Sequence, residues 1–272
     1  IVVVIAGRGL VADLSGKAYL TTLLLPLAVL ILSAVGGPSS NSGPLLLPAA
    51  TLERRLDFVR ARLPELANSL INLIVALARQ GAKNLTVIAN QGGVGFELSK
   101  RIKPGGYQDI GALYEKGQVK KFIGSVPALG GMPPSSPIET LHREGKVEIE
   151  MVPQGTLAER IRAGAGGLGG FYTPTGVGTP VEIGKEKKVI NGREYILELP
   201  LTADFALIKA HKADTAGNLV YRGTARCFNP VMAMAATTTI VEVDEIVPAG
   251  ALDPEQVVTP HLFVSRIVEV KK

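Results

Sequence analysis

The segment from Arg62 to Gly164 alternates helical patterns with short apolar runs, and this alternation narrows the possible folds more than any other feature. "RLPELANSLINLIVALARQG" puts Leu66, Leu70, Leu73, Ile74 and Leu77 on one helical face, with Pro64 at the start and Gly81 as the stop. "NLTVIAN" then reads as a strand apolar on both faces, the kind found inside parallel sheets. "DIGALYEKGQ" and "PIETLHREGK" predict short helices, followed by the strands "VKKFIGSV" and "VEIEMV". Thr156 and Glu159 make a T-x-x-E capping box that predicts a helix over "LAERIRAG", ending at Gly164. Repeated alternation of this kind predicts an α/β fold, a mostly parallel sheet flanked by helices.

After Gly178 the texture changes. "KKVINGREYILELPL" predicts a hairpin turning at Asn191-Gly192. "DFALIKAHKADTAGNLVYRG", "TTTIVEVDEIV" and "HLFVSRIVEV" predict further strands. The expected architecture is a single domain over residues 1–272 with an antiparallel C-terminal elaboration. An atypical hydrophobic insertion occupies about 13–61.

Within that insertion, residues 18–35 ("AYLTTLLLPLAVLILSAV") are uncharged and long enough to be read as a membrane span. The competing reading is a helical hairpin broken at Pro26 and Pro38. If "IVVVIAG" is a strand of the same sheet as the rest, a span between them is impossible, so membrane association is not expected.

Composition removes several functional classes. The formal charge of +5 comes from scattered Lys and Arg, which argues against a nucleic-acid stripe but suits a phosphorylated small ligand. The single cysteine, Cys227, forbids an internal disulfide, fits a cytoplasmic setting, and is expected to be buried. His142, His211 and His261 lie far apart with no acid or cysteine at ligand spacing, so no metal site is expected. There is no G-x-S-x-G elbow.

Three glycine-rich stretches adjoin predicted strands, where open α/β sheets bind ligands. In "VVVIAGRGLVA", Gly7, Gly9 and Ala12 satisfy the dinucleotide fingerprint, but no acidic residue stands about twenty positions later. In "VIANQGGVG", Asn90 and Gln91 offer uncharged donors and acceptors beside the glycine backbone from Gly92 onward. The third stretch packs seven glycines between Gly164 and Gly178 and includes "FYTPTG", with Thr173 and Thr175 flanking Pro174 before Gly176. Such a bare backbone can follow a long ligand.

From about Ser69 to Lys272 the chain resembles the A (α) subunit of family I 3-oxoacid CoA-transferases. The likeness rests on "LTVIAN", "VPQGTLAERIRAGAGG", "FYTPTGVGT", "ADFALIKAHKAD" with "TAGNLVYRGTAR" and "FNPVMAMAA", and "TTIVEVDEIV". The family's first loop, Gly-Gly-Phe-Gly-x-x-Gly-x-Pro, is worn here: Ala6 and Arg8 replace its first glycine and phenylalanine, and Ala12 its last glycine. The family's Asn-Asn pair reads Asn90-Gln91.

The resemblance implies a ping-pong transfer of CoA from succinyl-CoA to acetoacetate or 3-oxoadipate, with no tightly bound cofactor and the CoA thioester as substrate. A partner β subunit would carry the nucleophilic glutamate, in an expected α2β2 assembly, so no catalytic nucleophile is assigned here. Glu97, Glu148 and Glu159 are read as surface or capping carboxylates. This chain would contribute walls: Ala6, Gly7, Arg8, Gly9, Leu10, Val11 and Ala12 for CoA, and Asn90, Gln91, Gly92, Gln154, Thr173, Thr175 and Gly176 for substrate and oxyanion. The alternatives are a nicotinamide-binding oxidoreductase built on "GRGLVA" and a degenerate, non-catalytic relative.

Overall fold

The computed structural model describes residues 3–6, 71–101, 104–127 and 135–270. A seven-stranded sheet runs through the described residues in the order β13-β11-β8-β1-β2-β3-β4. Its strands are β1 (Val3–Ala6), β2 (Leu85–Ile88), β3 (Val119–Gly124), β4 (Glu148–Met151), β8 (Ala203–Lys209), β11 (Ala236–Val243) and β13 (Arg266–Glu269). β2, β3 and β4 are mutually parallel, as are β8, β11 and β13. β1 sits between the two groups and is antiparallel to both β8 and β2. Every strand except β1 therefore points the same way, which realises the expected mostly parallel sheet.

Successive side chains along the strands enter opposite cores, because the sheet is covered on both faces. Ile88, Ile123, Ala206, Ile208 and Val241 enter one core with Leu157, Ile161 and Met232. Their neighbours Val87, Ala89, Phe122, Leu207 and Ile240 enter a second core with Leu73, Ile74, Leu77, Leu113 and Ile138. The second face is lined by α1 (Ile71–Gln80), α3 (Gly111–Glu115) and α4 (Pro137–Arg143). The first is lined by α5 (Gln154–Ala165) and α6 (Asn229–Met234). A short helix, α2 (Phe96–Ser99), follows β2. The apolar face expected for α1 is present at Leu73, Ile74 and Leu77; Pro64, Leu66 and Leu70 lie outside the described residues.

Two smaller sheets complete the fold. One is antiparallel, β5 (Phe171–Thr173), β7 (Arg193–Glu198) and β6 (Lys187–Ile190), with Asn191 and Gly192 at positive φ in the predicted hairpin turn. The other joins β10 (Leu219–Val220), β9 (Lys212–Asp214) and β12 (Glu245–Val247). Antiparallel pairing is confined here to β5-β7-β6 and to the β9-β10 pair, β12 lying parallel to β9, while β8, β11 and β13 return to the main sheet.

Several local expectations are corrected. α5 starts at Gln154, so Thr156 is buried inside its first turn and Glu159 pairs with Arg162 at 2.7 Å; no capping box forms there. The box belongs to α4, where Ser136 N donates to Glu139 Oε2 at 3.0 Å. Gly164 does not end α5 but lies within it, and a Cβ there would come 2.1 Å from the Leu201 carbonyl oxygen. That glycine is required by a neighbouring segment of the same chain. Cys227 is exposed, at the end of a 3-10 turn, rather than buried.

The hydrophobic run 18–35 lies outside the described residues, and no helix among the described residues is long and apolar enough to cross a membrane. The condition set against a single span is met, since Val3–Ala6 is hydrogen-bonded into the sheet that holds the later strands.

α5 is fixed by a partly buried charge network. Arg160 donates from Nη1 to Glu150 Oε1 on β4 at 2.7 Å and from Nε to the Leu199 carbonyl at 2.8 Å. Its Nε also lies 3.7 Å from the buried Glu198, which pairs with Lys185 at 2.5 Å. Burial alone would raise the Glu150 carboxyl, but hydrogen bonds from Arg160 and Lys121 hold it below its ordinary value. The network ties α5 to β4 and β7, and so sets where its first residue, Gln154, stands.

Candidate functional site

The carboxyl ends of β2, β3 and β4 meet at one edge of the sheet. The chain leaving β2 continues straight through Ala89, whose N–H donates to the Ile123 carbonyl at 3.1 Å. Asn90 O then accepts from Val126 N at 2.9 Å and Ser125 N at 3.3 Å, just beyond β3. Gln91 bridges Val126, and Gly92 N donates to the Val126 carbonyl at 3.0 Å. A Cβ on Gly92 would fall 2.1 Å from the Pro127 carbonyl oxygen, so only glycine permits these two loops to lie so close.

The next element, entering from β4, brings Gln154 to the same place. Gln154 Nε2 donates to Asn90 Oδ1 at 3.1 Å. Asn90 and Gln91 are nearly buried, at 7% and 9% exposure. With Asn90 Oδ1 taken by Gln154, the Asn90 amide NH2 makes no hydrogen bond among the described residues, and it keeps two donors for another oxygen. Next to it, Ser125 Oγ is buried and has no partner among the described residues.

Asp109 holds the loop that follows. Its carboxylate accepts from Val94 N at 2.6 Å, Gly95 N at 3.1 Å and Gly111 N at 2.8 Å. Burial raises the Asp109 carboxyl, while these three backbone donors act in the opposite direction. Phe96 N donates to Glu115 Oε1 at 2.7 Å, which secures the far end of the loop.

Farther along the same edge lies a charged group not foreseen in the sequence. Val4 pairs with both Ala206 and Ile88, which sets Lys209 level with Gln91 across β1. Lys209 Nζ pairs with Asp244 at 2.7 Å and lies 3.7 Å from Glu242. His211 Nδ1 stands 3.0 Å from Asp244. The ammonium is thus neutralised within the protein, which makes it a clamp between β8 and β11.

The structure unites only some of the nominated residues. Asn90, Gln91, Gly92 and Gln154 converge at this edge. Thr173, Thr175 and Gly176 belong to the β5-β7-β6 region, where Thr173 Oγ1 accepts from Thr175 N at 3.2 Å. A Cβ on Gly176 would meet Val181 at 2.9 Å. No hydrogen bond among the described residues links these three to Asn90, Gln91 or Gln154. Ala6 pairs with Thr86, about 13 Å before Asn90 at the rise of a strand, and so stands at the opposite edge of the sheet. Gly7, Arg8, Gly9, Leu10, Val11 and Ala12 lie outside the described residues.

The antiparallel setting of β1 also corrects the dinucleotide reading. That fingerprint requires its strand to run parallel to the next one through a βαβ crossover, and β1 runs against both neighbours. The nominated carboxylates are accounted for by surface ion pairs: Glu97 with Lys100 at 2.6 Å, Glu148 with Lys121 at 2.8 Å, and Glu159 with Arg162.

Comparisons with known proteins agree with the mixed α/β architecture. Residues 68–270 match the family described as coenzyme A transferase. The chain is 49% identical over 198 residues to the A chain of 3-oxoadipate CoA-transferase from Pseudomonas putida, covering 73% of this chain and 80% of that one. It is 46% identical to the A chain of a probable succinyl-CoA:3-ketoacid coenzyme A transferase from Bacillus subtilis, covering 72% and 76%. It is 45% identical to the alpha chain of acetate CoA-transferase from Escherichia coli, covering 72% and 82%. Among solved structures, an Escherichia coli acyl-CoA transferase in a thioester complex with CoA superposes with a TM-score of 0.59 at 22% identity, over 73% of this chain and 41% of that one. Glutaconate coenzyme A-transferase of Acidaminococcus fermentans gives 0.56 at 21%, over 73% and 65%. These distant structures share the fold.

Proposed function

Since the chain belongs to the coenzyme A transferase family, we propose that it is the A-type subunit of an enzyme moving CoA from succinyl-CoA to a 3-oxo acid. The observation that supports the assignment most directly is the Asn90–Gln154 pair at the carboxyl edge, within a chain nearly half identical to named A-type subunits. The nicotinamide and non-catalytic readings have no support from these relatives.

The neutral lining suits the reaction. A glutamate carboxylate of a B-type partner attacks the donor thioester carbonyl, giving a mixed anhydride and free CoA thiolate. The thiolate then attacks the glutamyl carbonyl of the anhydride, breaking its C–O bond and releasing succinate. This leaves a glutamyl-CoA thioester, and the acceptor acid reverses the sequence. At each step an acyl oxygen gains and loses negative charge. Amide donors fixed before the reaction stabilise that oxygen without carrying a charge that would over-bind the ground state. Asn90 supplies such a donor, Gln154 orients it, and Gln91 and Gly92 bring backbone close to it.

Acetoacetate and 3-oxoadipate are both admissible acceptors, with "KAHKAD" and "MAMAA" leaning toward 3-oxoadipate. CoA enters as a substrate, the assembly is expected to be α2β2, and a cytoplasmic location fits the lone cysteine. The CoA-binding role first given to residues 6 to 12 is weakened by the position of Ala6 at the far edge.

The test is reconstitution. The purified chain is mixed with a B-type subunit from a related operon and assayed for succinyl-CoA-dependent formation of acetoacetyl-CoA and 3-oxoadipyl-CoA. Activity that requires both chains supports the proposal. Transfer by this chain alone, or none with any B-type subunit that it binds, overturns it.

A further inference from the structure

We infer that the Ser125 hydroxyl is a second hydrogen-bond donor to the acyl oxygen held by Asn90. This rests on the transferase reading above and adds a residue that neither the sequence motifs nor the relatives assign. A buried hydroxyl without a partner is uncommon, because it forfeits its hydrogen bonds to water and gains nothing in return. Ser125 Oγ is in that position among the described residues.

Its location gives the orphan a purpose. Ser125 directly follows Gly124, the last residue of β3, and its N–H donates to the Asn90 carbonyl at 3.3 Å. Asn90 and Ser125 are therefore held side by side by main-chain bonds, each with an unused side-chain donor. Gln154 occupies the acceptor half of the Asn90 amide, which leaves its donor half for another oxygen. Two neutral donors on adjacent strand ends form the arrangement that a carbonyl becoming an oxyanion requires. The ligand class is an acyl thioester or acyl anhydride carbonyl, whose oxygen accepts both bonds.

The experiment uses the complex reconstituted with its B-type partner, comparing wild type, Ser125→Ala and Ser125→Thr. Expected is a fall in kcat of about 10-fold to 10³-fold for Ser125→Ala with a smaller change in KM, since the bond strengthens as charge develops. Ser125→Thr, which keeps the hydroxyl, should recover most of the rate. Without substrate, Ser125→Ala should melt at or above the wild-type temperature, because an unpaired polar atom has been removed. Wild-type kcat in Ser125→Ala overturns the inference. So does a loss of thermal stability in the substrate-free variant, which would mark a hydroxyl satisfied by bound water. A wild-type complex that transfers no CoA brings down the transferase reading as well, so the two failures are told apart by the control.

Discussion

The side chains of Gln154 and Asn90 stand 3.1 Å apart although 64 residues separate them in sequence. One residue lies two positions beyond a strand and the other begins a helix, so their meeting is a product of the parallel sheet. Asn90→Ala removes the donor and is expected to lower kcat/KM of the reconstituted enzyme by about 10²-fold to 10³-fold. Gln154→Ala only frees the donor to rotate, and about 10-fold to 10²-fold is expected. Steady-state kinetics with both CoA partners checks the order; equal losses would put Gln154 in contact with substrate.

Gly164 and Gly155 share one helix but face different surroundings. Gly164→Ala would force a methyl group to within 2.1 Å of the Leu201 carbonyl oxygen, and a loss of about 1–3 kcal/mol is expected. Gly155 has nothing within 4 Å of its would-be Cβ, so Gly155→Ala should stabilise by about 0.4–1 kcal/mol. Urea titrations of the two variants provide the comparison.

Arg160 joins α5 to two other elements, and its side chain is only 9% exposed. Arg160→Ala leaves Glu150 and Glu198 short of their partner, which in buried pairs costs about 3–5 kcal/mol. The lower end is expected, because Lys185 and Lys121 remain beside these carboxylates. The measured quantity is unfolding free energy. A change near zero would mean that the network adds nothing to stability.

Asp109 should give a recognisable pH signature. Burial raises its carboxyl, so the folded state binds its proton more tightly than the unfolded chain, where the value is about 3.9. This contribution to stability is complete below about pH 3.9 and is lost as pH rises through the folded value. The stability of wild type relative to Asp109→Asn is therefore expected to fall as pH rises above about 4. A rise over that range would show that the three backbone donors outweigh burial.

Much of the fold could be read because periodicity and burial coincide. Leu73, Ile74 and Leu77 form the inner face of α1, and the buried Leu85, Val87 and Ile88 of β2 reflect a strand covered on both sides. Local signals were less reliable where two of them competed. T-x-x-E at Thr156 has the spacing of a cap, yet the chain already turns into α5 at Pro153, while S-x-x-E at Ser136 does cap α4. Gly164 resembles a helix stop, but its lack of a side chain answers a tertiary contact with Leu201.

The site was legible to the same degree. Asn90 could be found because an amide pair beside glycines marks the end of a strand, whereas Gln154 came only from the family resemblance. Ser125 carries no such mark: a serine after a strand is ordinary until its hydroxyl proves to be buried and unpaired. Lys209 and Glu242 sit in strands whose composition reads as core, and only the sheet register reveals them as a pair. The direction of β1 was equally hidden, since a four-residue apolar strand contains nothing to say which way its neighbours run.

That short strand has a consequence for assembly of the molecule. β2 and β8 are not hydrogen-bonded to each other; each is joined to β1, so four residues near the start of the chain connect one half built from residues 85–151 with another built from 203–269. Were Val3–Ala6 to detach, both flanking strands would present open main-chain groups at the middle of the protein, a template for strand exchange between copies.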